Sequence, residues 1–337
     1  MKKAMTLLGP VEADSLGHIL PHEHIFSQLP QFGKPTYPEL DDKKVTIDIL
    51  GKLRRDIWTC KDNLRLDEEE VMLSEVASFK ANGGGTIVDV TTIGLNRNIQ
   101  KVIKIANETG VNIIAGTGYY VKEGHPKELS MMTVDQIYKI MVKELTEGID
   151  NTTSKAGIIG EIGVSCMHPD EEKVLRAAAR AHKETGAPIS VHQFAGKKEL
   201  PQIDAILKEE GVSPDKVILC HMCSVDSELR IWAADRGYYI EIDSFGNEYY
   251  TNAIAGIAPR DPDRIKMVKE LIGRGYLNQI LLSNDIALKI LLKKYGGWGY
   301  EHIKVNIKPF MLREGIPVKS LDTMIYYNPM RVMAYIN

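Results

Sequence analysis

The stretch Leu20-Pro21-His22-Glu23-His24-Ile25 decides how the rest of the chain is read. Two histidines one residue apart close a short apolar run, the signature of a strand end. Alternate residues of a strand share a face, so His22 and His24 converge while Glu23 points the other way. Two neutral imidazoles held like this suit zinc or a similar borderline cation. Taken alone, the stretch fits an ordinary pair of polar strand residues equally well, and the segments that follow bear on the choice.

Downstream, β-rich apolar runs alternate with helical stretches. Candidate strands fall at 86–90, 112–116, 157–163, 189–192, 217–221, 238–243 and 279–284, which with the first makes eight. Between them, Asp67 and Glu70 have the spacing of a capping box, Met72, Val76 and Phe79 share one apolar face, and Asn82-Gly83 ends that helix. A second helix spans 170–185, with Val174, Ala178 and Ala181 on one side and Gly186 just past its end. Strands alternating with amphipathic helices imply parallel βα units, and eight of them imply an α/β fold of the closed (β/α)8 TIM-barrel type. No linker or low-complexity segment interrupts the pattern, so residues 1–337 are expected to form a single domain. A long segment, 26–66, carries Phe32, Lys34 and Trp58. Long loops in compact domains are often functional, so these residues are candidate pocket walls, with plain surface packing as the alternative.

Composition narrows the partners. With 44% hydrophobic and 26% charged residues the chain matches a globular protein, and a net charge of -3 without a basic block argues against nucleic acid or an anionic membrane. The expected partner is a small molecule. Met1 to Pro10 has too short an apolar stretch for a signal peptide, and no run is long enough to span a bilayer, so the expected location is cytoplasmic. Cys60, Cys166, Cys220 and Cys223 are too few for a disulfide scaffold. Cys220-His221-Met222-Cys223 matches C-x-x-C but lies along a strand end, away from the helix starts that activate thiolates. Gly83-Gly84-Gly85 precedes a strand, the wrong side for cradling a phosphate. His18, His125, His168 and His182 have no ligand-like spacing.

In an α/β barrel the working residues sit at the C-terminal strand ends. Those ends carry His22, His24, Glu161, His192, His221 and Asp285. Any one of them could be a satisfied buried polar group, but six metal-ligand side chains at one rim make coincidence a poor account. Their number implies two divalent ions, Zn2+ first, with Mn2+ or Co2+ as alternatives. Glu161 is the candidate bridge, Asp285 would join His22 and His24 on the more buried ion, and His192 and His221 would hold the other. Between two cations about 3.5–4 Å apart a bridging water can lose its proton near neutral pH and attack an ester-type centre. Asp285 is suited to take that proton and pass it to the leaving group.

With these residues in hand, the chain resembles the phosphotriesterase family of the amidohydrolase superfamily over nearly its whole length. The resemblance is carried by Gly17-His18-Ile19-Leu20-Pro21-His22-Glu23-His24, Val88-Asp89-Val90-Thr91-Thr92-Ile93-Gly94, Ala115-Gly116-Thr117-Gly118-Tyr119-Tyr120 and Ala156-Gly157-Ile158-Ile159-Gly160-Glu161-Ile162-Gly163. Val191-His192, Cys220-His221, Leu282-Ser283-Asn284-Asp285, the segment from Gly296 to Ile303, and Asn328-Pro329 extend it. It implies a (β/α)8 barrel, a binuclear zinc-type centre, hydrolysis of lactones, phosphotriesters or related esters, and pairing into homodimers.

Two departures shape what is carried over. Where phosphotriesterase and its nearest lactonases have a carboxylated lysine, Gly160 stands here and Glu161 follows, as in the homology-protein branch. A one-residue offset flips a side chain, so Glu161 reaches the centre only if the strand is bulged, which Gly160 would ease. After Asp243 stands Ser244, where other members often have a larger basic or imidazole side chain. Tyr120 lies where lactonases place a tyrosine. Arg260 and Lys289, among other basic and aromatic residues in the loops after strands 7 and 8 (Tyr249, Tyr250, Arg264, Lys293, Lys294, Trp298), are candidate contacts for an anionic substrate, with a solvated rim as the alternative. The expectation is a lactonase, including sugar or phosphorylated sugar lactones. N-acyl amides or phosphoesters are the alternative bonds, and a non-catalytic metal-binding relative is the alternative of another class.

Overall fold

A computed structural model describes residues 2–193, 199–251 and 256–336. Among them, eight parallel strands form one sheet: His18–Glu23, Gly84–Asp89, Asn112–Thr117, Ile158–Val164, Ile189–Gln193, Val217–Leu219, Tyr239–Ile242 and Ile280–Leu282. Each matches one of the expected runs. They are continuous apolar stretches because helices cover the outer face and the barrel fills the inner one. The sheet is a nearly closed (β/α)8 barrel. At the seam between the first and eighth strands, Ser283 Oγ accepts from His22 N at 3.1 Å and lies 2.8 Å from His22 O, and Asp285 N donates to the same carbonyl at 3.3 Å.

Inside the barrel, Ile19, Val88, Ile114, Ile158, Ile218 and Leu281 belong to one apolar plug. The alternation that places them inward should continue upward, and on strands five to eight it does, to His192, Cys220, Asp243 and Asp285. On strands one and four it is broken deliberately. Pairing of the first strand runs Leu20↔Ile87 and then Glu23↔Asp89, and that of the fourth runs Ile159↔Ile189 and then Ile162↔Val191. Three residues face two in both places, which is a bulge, and each bulge reverses the phase. His22 and His24 therefore share the inward side with Ile19, and Glu161 shares it with Ile158. The irregularity expected at Gly160 is present, and the first strand carries a second one at Pro21.

Helix starts differ from expectation. The first barrel helix, Glu69–Ala81, has Glu68 at its N-cap without a side-chain cap bond, so the Asp67/Glu70 box is not formed. The helix expected from 170 runs over Pro169–Thr185, and His168 caps it, its Nδ1 accepting from Asp170 N at 3.1 Å. Among the described residues no helix is long and apolar enough to cross a membrane.

Candidate metal centre

The six rim residues meet above the plug. His22 and His24 Nε2 lie 3.6 and 3.4 Å from the two oxygens of Glu161, and 3.7 and 3.6 Å from Asp285 Oδ1. His192 Nδ1 is 2.9 Å from Glu161 Oε2 and 2.7 Å from His221 Nε2. His22, His24, Glu161 and His192 are at most 6% exposed, whereas the Asp285 side chain is 19% exposed and opens toward the cavity.

Second partners fix which ring nitrogen faces inward. Glu241 Oε2 can only accept, so His22 Nδ1 donates to it at 3.0 Å, and Nε2 has no hydrogen-bond partner among the described residues. His24 Nδ1 lies 3.0 Å from Thr91 Oγ1, whose own proton goes to Asp89 Oδ1 at 2.5 Å, so this nitrogen too must donate. Asp243 does the same for His221, with Oδ1 3.1 Å from its Nδ1 and Oδ2 accepting from its backbone N at 2.6 Å. Three lone pairs on Nε2 thus point into the cluster beside two carboxylates, each ring oriented by an outer oxygen.

The separations of Glu161 and Asp285 from His22 and His24 are longer than ordinary hydrogen bonds, whereas His192 Nδ1 lies within hydrogen-bond reach of Glu161 and His221. Atoms about 2.1 Å from a common ion at tetrahedral angles lie about 3.4 Å apart, which is the spacing of Glu161 and Asp285 from His22 and His24. The electrostatics agree. Burial opposes it, yet neighbouring His192, His221 and His22 hold the Glu161 carboxyl well below the usual carboxylate range. His22 is raised to about 10 against its own burial by Glu241, Glu161 and Asp285, and His24 and His221 are raised by nearby carboxylates. His192 is lowered, first by burial. The carboxylates of the cluster thus favour positive charge at His22, His24 and His221. The donor chemistry therefore fits metal ions, and subsets of the six fall within ligand spacing of one another.

A cavity of about 290 Å³ opens over the cluster. Tyr120 and Ser244 line it; the Tyr120 hydroxyl is 3.5 Å from His192 Nε2, and Ser244 Oγ donates to Asp243 Oδ1 at 3.0 Å. Trp58 of the long first loop is also on the wall, and Lys34 is not. Lys289 is a correction. It is 1% exposed and its ammonium binds Glu68 at 2.7 Å and Asp62 at 3.0 Å, with Asp67 at 3.4 Å, so it pins the first loop to the last instead of facing substrate. Arg260 is a second correction: it is exposed at the start of the helix Asp261–Gly273 and off the cavity wall. The four cysteines are free thiols, and Cys220 is buried against Ser190 Oγ at 3.0 Å.

Sequence reasoning missed the outer partners Glu241, Asp243 and Thr91, and also Glu23. Glu241 and Asp243 were findable, since acidic residues two apart on a barrel strand put two carboxylates on its inner face. Glu23 faces away from the cluster and gathers the eighth loop. One oxygen accepts from Ser283 Oγ and Asn284 N, both at 2.8 Å, and the other from Ile286 N at 2.9 Å.

The model of the phosphotriesterase family matches residues 2–333. The chain is 38% identical to the N-acetyltaurine hydrolase of Xenopus tropicalis, across 99% of this chain and 98% of that one. A resiniferatoxin-binding protein from Rhodobacter sphaeroides has the same fold with a TM-score of 0.95 at 35% identity, covering 98% of this chain and 95% of that one. A lactonase from Listeria monocytogenes gives a TM-score of 0.82 at 28% identity, covering 99% and 100%.

Proposed function

The chain belongs to the phosphotriesterase family and is a hydrolase of it, and from that premise we propose that it cleaves a short N-acyl amide by metal-assisted hydrolysis. The observation that carries this reading is the position of Asp285. It is the more exposed of the two cluster carboxylates on the cavity wall, and its oxygens lie within 3.6–3.9 Å of His24, His22 and His221. An amide breaks only if its amine is protonated as it leaves, so the site needs one group that accepts a proton and returns it.

His22, His24 and Asp285 would hold one divalent ion and His192 and His221 the other, with Glu161 shared; zinc suits this set of nitrogen and oxygen donors, as would manganese or cobalt. Such ions supply Lewis acidity toward a carbonyl oxygen and make water a better acid. Asp285 takes the proton of the attacking water and delivers it to the amine nitrogen. Tyr120 stays a neutral O–H donor on the wall, because burial and then Glu161 and Asp285 push its hydroxyl well above the ordinary value. Apolar walls exclude water from the acyl group. The amide is taken from the relatives of this length whose named activity is on N-acetyltaurine.

Tyr120 also favours a second reading, a lactone, whose alkoxide leaving group a tyrosine hydroxyl can meet; the Listeria likeness supports it. The test is a panel of N-acetyl amines, lactones and phosphotriesters given to zinc- or manganese-loaded protein. The amide reading requires acetate release to lead the panel; lactone opening at a much higher kcat/KM would replace it. We propose a small molecule as the sole obligatory partner and a homodimer as the assembly, the latter to be read by light scattering.

A further inference from the structure

The cavity wall is mostly apolar or aromatic, including Leu29, Ile57, Trp58, Tyr249, Leu288 and Leu291, and among the described residues the only lysine or arginine on it is Arg264. Arg264 is 1% exposed. Its Nη1 donates to Asp261 Oδ1 and its Nη2 to the Asn247 carbonyl, both at 2.9 Å, while Nε has no hydrogen-bond partner among the described residues. A guanidinium carries five N–H donors, so most of this one is unspent. Its counter-ion is shared: Asp261 Oδ1 also accepts from Gly246 N at 2.9 Å, and Oδ2 lies 2.8 Å from His302 Nε2. Asn247 ties the arginine to the centre, since its own Nδ2 reaches the Asp285 carbonyl at 3.4 Å. Asn247 Oδ1 is likewise buried without a partner among the described residues.

A cation with unspent donors in an apolar wall favours an anion strongly over a neutral polar tail, because both are stripped of water when substrate enters. Resting on the amide reading, we propose that Arg264 is the specificity-determining residue that receives an anionic group on the amine side of the substrate. The preferred substrates are then short N-acyl amines ending in a sulfonate or carboxylate. With a small acyl group at the centre, the amine portion is the part long enough to reach this wall. Of the basic residues expected to meet an anionic substrate, Arg264 is then the one that does, in place of Arg260 and Lys289.

The test compares N-acetyltaurine and N-acetyl-β-alanine with neutral N-acetylethanolamine on metal-loaded protein. Wild type should favour the anionic pair by about 10- to 100-fold in kcat/KM. Arg264→Gln should cut that ratio by a similar factor, chiefly through KM, and Arg264→Lys should restore part of it, since charge returns without the fork. Independently of turnover, ethanesulfonate should raise the melting temperature of metal-stripped wild type, and ethyl methyl sulfone should not. A wild-type ratio near one, or an equal loss on charged and neutral substrates in a folded Arg264→Gln, overturns the proposal. Should that variant fail to fold, the wild-type ratio and the ethanesulfonate shift decide. Should no amide be cut, the amide reading falls, and the ethanesulfonate shift alone still judges Arg264.

Discussion

Asp285 sits at φ +53°, a left-handed conformation that a residue with a side chain seldom adopts, and His221 at +56° shares it. Such backbone persists where neighbours over-determine it. For Asp285 they do so through the His22 carbonyl on one side and Glu23, holding residues 284 and 286, on the other. Asp285→Asn keeps the shape and removes the proton acceptor, so kcat should fall about 10³-fold with an unchanged circular dichroism spectrum. More than a tenth of wild-type turnover would remove Asp285 from its role. At the far end of the first strand, His18 is buried against Phe79 and Tyr326, and neither ring nitrogen has a hydrogen-bond partner among the described residues. Burial, then Lys304 and Lys308, lower it from 6.5 to about 3. As pH falls through that window the unfolded chain takes up a proton and the folded one does not, so stability present above 6.5 is lost toward 3. Between pH 7 and 4.5, His18→Leu should lose about 2–3 kcal/mol less stability than wild type in urea titrations. Parallel acid profiles for the two proteins would contradict this.

At the scale of elements, the strands are legible in the sequence because each is a buried apolar run, and a period of two then points to the rim residues. Glu161 is legible as a candidate, and its phase needs the bulge that Gly160 permits. At Gly160, φ is +138° and an added Cβ would stand 2.4 Å from the Ser190 carbonyl oxygen. Gly160→Ala should therefore destabilise the fold by about 2 kcal/mol or more and lower the bound metal measured by plasma mass spectrometry. Full metal loading in that variant would detach Glu161 from the centre. The bulge at Pro21 has no local signal beyond the proline. The helix start at Glu69 is illegible for a different reason, since Asp67 and Glu68 are drawn to Lys289, more than two hundred residues away. Local spacing cannot show a partner that only folding supplies. Lys289→Met would leave Asp62 with only the exposed Lys44 as counter-ion and should lower stability by about 2 kcal/mol in chemical unfolding. A loss below about 0.5 kcal/mol would mean the loops are held by their apolar contacts instead.

For the whole molecule, the barrel gathers one carboxylate and four imidazoles from strands one, four, five and six and closes the ring with Asp285 after strand eight. It sets a second layer of oxygens behind them, Glu241, Asp243 and Thr91, so the cluster is held in place before any ion arrives. Stripping the metals should lower the melting temperature as well as abolish activity, because six buried or half-buried donors lose their common partner. The most direct measurement is acetate release from N-acetyltaurine by chelator-stripped protein as Zn2+ is added back in known amounts. The account predicts no turnover at the start and a rise that levels off at two ions per chain. Turnover in the stripped protein, or silence once two ions are bound, would contradict it.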